Sequence, residues 1–119
     1  MKIAIPTQGD DLAAQIDARF GRAARFILFD DATHKWQVID NAVNLELSQG
    51  AGIQAATMVK NAGAEVLLSR HCGPKAFRVL QAAGVAVVLG ATGSIASALA
   101  AFAAGELKPA SRADVEGHS

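Results

Sequence analysis

The second half of the chain constrains the fold most. From Glu65 to Gly105 it passes twice through the same pair of signals, a short aliphatic stretch and then a helix marked by proline or glycine. "EVLLS" (65–69) leads to a helix opening at Pro74, and proline suits the first helical position because its missing N–H would have no helical partner there. Ala76, Val79, Leu80 and Ala83 recur at i, i+3, i+4 and i+7 and define an apolar face, with Lys75 and Arg78 off it. "VAVVL" (85–89) reads as a buried strand. "TGSIASALAAFAAG" (92–105) reads as a helix capped at Thr92 or Ser94, with Ile95, Leu99, Phe102 and Ala103 facing inward. Two successive strand–helix units demand parallel strands covered by helices.

The first half is punctuated differently. "KIAI" (2–5) is a short strand stopped by Pro6, and "RFILF" (25–29) is apolar at both alternating positions, as an interior strand is. The polar turn Asp30–Thr33 and "KWQVI" (35–39) complete an antiparallel hairpin. Residues 40–50 form a polar connection without a clear pattern. From Gly52, the positions Ile53, Ala56 and Val59, with a stop at Gly63, describe a helix. The order is β-β-β-α-β-α-β-α. With right-handed crossovers it predicts an α/β, five-stranded mixed sheet in the order 3-2-1-4-5, with helices on both faces. One domain is expected over 1–107, followed by a loose polar tail, 108–119. In such sheets the binding crevice lies at the strand carboxyl ends, where the connections diverge. Here that is between the first and fourth strands, beside "SRHCGPKAF" (69–77).

Composition narrows the function. A net charge of zero argues against a general nucleic-acid binder, which carries a basic excess. One cysteine excludes an intramolecular disulfide and a four-cysteine metal site within one chain. Val79 to Gly105 has no formally charged residue, yet Gln81, Gly84, Gly90, Thr92, Gly93, Ser94 and Ser97 break it, so it reads as helix end, strand, turn and helix rather than a membrane span. The apolar run at the N-terminus is too short for a signal peptide, and a soluble, cytoplasmic protein is expected.

Several chemistries compete for the 69–77 peptide. Cys72 lies just ahead of a helix start, which favours a thiolate, but nothing in the sequence supplies a third, orienting group for catalysis. His71 and Cys72 could ligate copper or zinc, although two ligands leave such a site half built. The anion reading draws on more residues. Gly73 allows close backbone approach, Pro74 opens a helix with free N–H groups, and Arg70, His71 and Lys75 surround that point with donors. "DARFGRAARF" adds Arg19, Arg22 and Arg25 around Phe20-Gly21, and Gly50-Ala51-Gly52 opens another helix. A two-metal nuclease finds no clustered carboxylates on the first strand, and "GAG" lacks the remainder of a nucleotide fingerprint.

Four segments together, "MKIAIPT", "RFGRAARFILFD", "GAGIQAA" and "GPKAFRVLQAAGVAVVLGATGSIASALAAFAAGEL", resemble the nitrogenase iron–molybdenum cofactor biosynthesis family of the NifX and NifB C-terminal type. The resemblance runs from Met1 to about Leu107 and is greatest to its small stand-alone members, the orange proteins. It implies a ribonuclease H-like sheet, no enzymatic activity, and binding or carriage of an anionic metal–sulfur cluster. A molybdenum–copper sulfide cluster is the first expectation and an iron–molybdenum-type precursor the next. Arg70, His71, Cys72, Gly73 and Lys75 are the expected contacts, with Phe20, Arg22 and Gly52 beside them, and with Cys72 and His71 as the residues facing metal. Arg70-His71-Cys72 replaces the small residues that many relatives carry before Gly-Pro-Lys. A partner ATPase or a cluster-assembly protein is the expected macromolecular partner. The residues alone leave open a regulatory module for a phosphate-bearing ligand or partner ATPase, and a Cys72-dependent enzyme.

Overall fold

The computed structural model describes residues 1–114. Three strands open the chain, β1 (Lys2–Thr7), β2 (Arg25–Asp30) and β3 (Lys35–Asp40). A one-turn helix α1 (Ala42–Leu45) and helix α2 (Ala51–Asn61) lead to β4 (Val66–Leu68). Then come α3 (Pro74–Ala82), β5 (Ala86–Val88) and α4 (Ile95–Ala103). The sheet order is β3-β2-β1-β4-β5, antiparallel across β1–β2 and β2–β3 and parallel across β1–β4 and β4–β5. This is the expected mixed sheet, with one added helical turn, α1, in a segment that offered no periodicity.

Pro6 does not end the first strand. The Lys2 carbonyl accepts from the Glu65 N–H (2.8 Å), so the even-numbered residues of β1 turn their backbone polar groups toward β4. The β4 pairing reaches only Ile3 and Ala4. Pro6 therefore sits on a locally free edge, where its missing donor breaks no ladder bond. Its carbonyl accepts instead from the Asp17 N–H (2.9 Å).

Alternation along the strands divides the core in two. Ala4, Phe26, Leu28, Leu67 and Val87 face α2 and α3, which contribute Ala55, Ala56, Val59, Ala76, Phe77 and Leu80. Ile3, Ile5, Ile27, Phe29, Val66, Leu68 and Val88 face α4, which contributes Ile95 and Ala98. Small alanine side chains at these contacts let the helices lie close to the sheet. Two helix faces are rotated from the expected ones: Phe77 rather than Ala83 is buried in α3, and Ala98 rather than Ala103 in α4. Ser94 is the α4 cap, its hydroxyl accepting from the Ser97 N–H at 3.1 Å.

The segment after Leu107 is not loose as far as Asp114. Pro109 bridges Val88, the Ala110 N–H donates to the Val87 carbonyl (2.7 Å), and Ala110 and Ala113 pack on the α2–α3 side of the core. The rest of the expected tail, 115–119, lies outside the described residues. Among the described residues no helix is long and apolar enough to cross a membrane.

Candidate functional site

The strand registers bring two helix starts to one edge of the sheet. Thr7 at the end of β1 lies opposite Arg25, and Arg25 lies opposite Asp40 at the end of β3. The chain leaves β3 at this edge, and α2 carries it back to the far edge, where Glu65 meets Lys2. Since α3 follows β4, it too begins at the edge marked by Thr7. Both helices pack on the same sheet face and against each other.

Neither helix start has a side-chain cap. In α3 the first helical bond runs from the Phe77 N–H to the Gly73 carbonyl (3.0 Å), leaving the N–H of exposed Lys75 for solvent or a ligand. In α2 it runs from the Gln54 N–H to the Gly50 carbonyl (3.0 Å). Gly50 holds φ 78°, the left-handed region that favours glycine, whereas Gly73 has φ −74° and ψ 165°, which any residue can adopt. Helix α4, on the other face, is capped by its own Ser94. The two open helix termini therefore share one edge and one face, and each presents partial positive charge there.

The loop between β4 and α3 is held firmly. The Ser69 hydroxyl donates to the His71 carbonyl (2.8 Å), the Gly90 N–H donates to the Arg70 carbonyl (3.1 Å), and the Ala91 N–H donates to the Ser69 carbonyl (3.2 Å). Arg70 and Lys75 are exposed and form no ion pair among the described residues. His71 is partly exposed. Cys72 points the other way, 1% exposed within the same core cluster as Phe20, Ala55, Ala56 and Phe77. Burial, followed by the nearby Asp114 carboxylate, pushes its thiol up to about 12, so the sulfur is a neutral thiol at physiological pH.

Phe20 is buried against Phe26 (ring centroids 5.3 Å apart), and Gly52 is buried in the first turn of α2. The three arginines of 19–25 do not form one cationic patch. Arg19 pairs with Asp17 (3.5 Å), and Arg25 donates to the Gln8 carbonyl. Arg22 ties down the connection after α1, donating from one nitrogen to the Leu45 (3.2 Å) and Leu47 (2.8 Å) carbonyls.

Residues not anticipated from the sequence complete the edge. Asp114 is the most consequential. One of its carboxylate oxygens accepts from the Cys72 N–H (2.9 Å), and the other lies 2.8 Å from His71 Nδ1. Buried Asn41 donates to the Ala23 carbonyl (2.7 Å) and accepts from Asn44 (2.7 Å), fixing the turn between the Phe20–Arg22 segment and α1. A cavity of about 500 Å³ opens nearby on the excursion after β1, lined by Gln8, Gly9, Ala14, Gln15, Ile16, Asp17 and Ala18. None of the residues expected from the sequence lines it. Among the described residues, no group of three or more His, Cys, Asp or Glu side chains is placed to hold a metal ion.

A small mixed α/β domain thus gathers two open helix termini, cationic side chains and a packed neutral thiol at one edge. The chain belongs to the dinitrogenase iron-molybdenum cofactor family, whose model matches residues 1–105. It is similar to the apo form of the orange protein from Desulfovibrio gigas, with 40% identity, 96% of each chain covered and a TM-score of 0.93. A NifB-type protein from Thermotoga, solved by NMR, shares 32% identity over 98% of each chain, with a TM-score of 0.83. An uncharacterized protein of Methanocaldococcus jannaschii is 28% identical over 112 residues, covering 91% of this chain and 90% of that one.

Proposed function

We propose that the protein binds and carries an anionic metal–sulfur cluster without chemical turnover, at the edge where α2 and α3 begin. The observation that carries this reading is the carboxylate of Asp114, an anion already hydrogen-bonded at the loop that opens α3. Family membership and the likeness to the orange protein support cofactor binding as the general role. A molybdenum–copper sulfide is the first candidate and an iron–molybdenum–sulfur precursor the second.

Such a cluster brings its own sulfide ligands and negative charge, so the host need not supply a set of thiolates. The host supplies what this edge has: unpaired helix N–H groups, the Arg70 and Lys75 charges, and an apolar floor of Phe20 and Cys72. In this reading Cys72 lies beneath the cargo, and His71 is the side chain closest in chemistry to a metal contact. The carrier domain of 1–107 is completed by the packed segment that follows it as far as Asp114, and a cytoplasmic setting suits a thiol kept reduced.

Charge reversal tests the reading. Arg70 and Lys75 are exposed, so Arg70→Glu/Lys75→Glu should keep the fold, as judged by far-UV circular dichroism and the melting temperature. A charge at an exposed helix end is worth about 0.3–1 kcal/mol, and reversing two of them beside a multiply charged cluster should abolish uptake. The measurement is bound molybdenum and copper after reconstitution with tetrathiomolybdate and copper. Unchanged stoichiometry in the double variant would refute the anion cradle.

A further inference from the structure

We propose that Asp114 is an internal stand-in for the cargo, and that the segment Lys108–Asp114 is a strap whose carboxylate must leave before an anion can bind. The inference rests on the cradle reading above and adds a regulating element to it.

Three observations carry it. The strap is anchored independently of the site, by the Pro109–Val88 bridge, the bond from the Ala110 N–H to the Val87 carbonyl, and the packing of Ala110 and Ala113 on the core. The loop is likewise shaped without it, through the Ser69, Gly90 and Ala91 bonds. Between these two pre-formed parts, the Asp114 side chain makes both hydrogen bonds of the closure. Its two oxygens divide between the Cys72 N–H and the His71 ring.

Those two groups open the loop into α3, where the cargo would sit. A carboxylate and a cluster sulfide or oxygen cannot share one N–H and one ring nitrogen, so their binding is competitive. The closure is also weakly held, because the Asp114 and His71 side chains keep 33% and 41% of their surface exposed, and exposed ion pairs contribute little. A single carboxylate of this kind screens the donors from weakly binding anions and yields to a multiply charged one. Withdrawal of Asp114 need not detach the strap, since Ala110 is held by separate bonds.

The test uses the full chain and tetrathiomolybdate alone, titrated calorimetrically into the wild type, Asp114→Ala and Asp114→Asn. Asp114→Ala should bind about 1.5- to fivefold more tightly, which is the fold-change expected from removing an exposed pair. Asp114→Asn, which keeps the shape but not the charge, should fall between. Amide NMR supplies an independent readout: tetrathiomolybdate should move the Cys72 N–H resonance of the wild type toward a new position, while Ala110 stays protected. Equal or weaker binding by Asp114→Ala, in a variant whose melting temperature shows it folded, overturns the strap and leaves the cradle standing. Failure of both wild type and Asp114→Ala to bind overturns the cradle and the strap together.

Discussion

Cys72 makes the fold sensitive to alkali, and the effect can be isolated because the chain contains no tyrosine. The thiol moves from its ordinary 9.0 in the unfolded chain to about 12 in the folded one, through burial first and the Asp114 charge second. A folded-state pKa raised in this way means that the native protein holds a proton the unfolded chain has released. The stabilising contribution is thus complete below about pH 9 and is lost as the pH climbs toward about 12. At about 1.36 kcal/mol per unit, moving from about pH 8 to about pH 11 should remove roughly 2–3 kcal/mol. The N-terminal amine titrates in the same window. That amine is also raised, chiefly by its hydrogen bond to Asp31, so comparison with Cys72→Ala is needed to cancel its contribution. Urea unfolding followed by far-UV circular dichroism suits the purpose better than fluorescence, because Trp36 is 44% exposed and will report the transition weakly. The alanine variant should be less stable at about pH 8, where a buried side chain has been truncated, and the gap should close by roughly 2–3 kcal/mol at about pH 11. Parallel pH profiles for the two proteins would refute the assignment of a buried, neutral thiol.

Two further substitutions examine the scaffold around the site. Asn41→Leu should destabilise the protein by about 2–4 kcal/mol in urea unfolding, because the Ala23 carbonyl and the Asn44 amide lose their buried partner, and a loss below about 0.5 kcal/mol would count against that role. Gly9→Ala should lower the melting temperature and shift amide resonances between residues 8 and 18, since its new Cβ would come within 2.4 Å of the Ala14 Cβ; adding Ala14→Gly should restore both, and failure of that rescue would show the clash to be elsewhere.

Much of the fold was legible because it rests on short-range signals. Alternation in "RFILF", Pro74 at a helix start and the two strand–helix units define the strands and their order without reference to distant partners. Where a helix face was misjudged, the reason is equally local. Spacing alone cannot rank Ala83 against Phe77, and the larger side chain takes the buried place because its burial removes more apolar surface from water. Pro6 continues the strand for a longer-range reason. Proline ends a strand only where a neighbour needs its N–H, and β4 stops pairing at Ala4.

The site divides along the same line. Arg70, His71, Gly73 and Lys75 are contiguous, so their gathering at a helix start could be read from the peptide itself. The arginines at 19, 22 and 25 looked like a cluster by spacing, but each found a separate backbone or carboxylate partner once the loops closed. Asp114 carried no signal at all, since one aspartate in a polar stretch is indistinguishable from a solvated one. Its importance arises from a sequence separation of 42–43 residues, closed by Pro109 on β5 and by Ala110 and Ala113 on the core. The only local trace is the pair of small apolar residues in "KPASRAD", too sparse for a periodic pattern. Donors held close together in sequence can thus be recognised locally, whereas the group that competes for them must arrive from elsewhere in the chain.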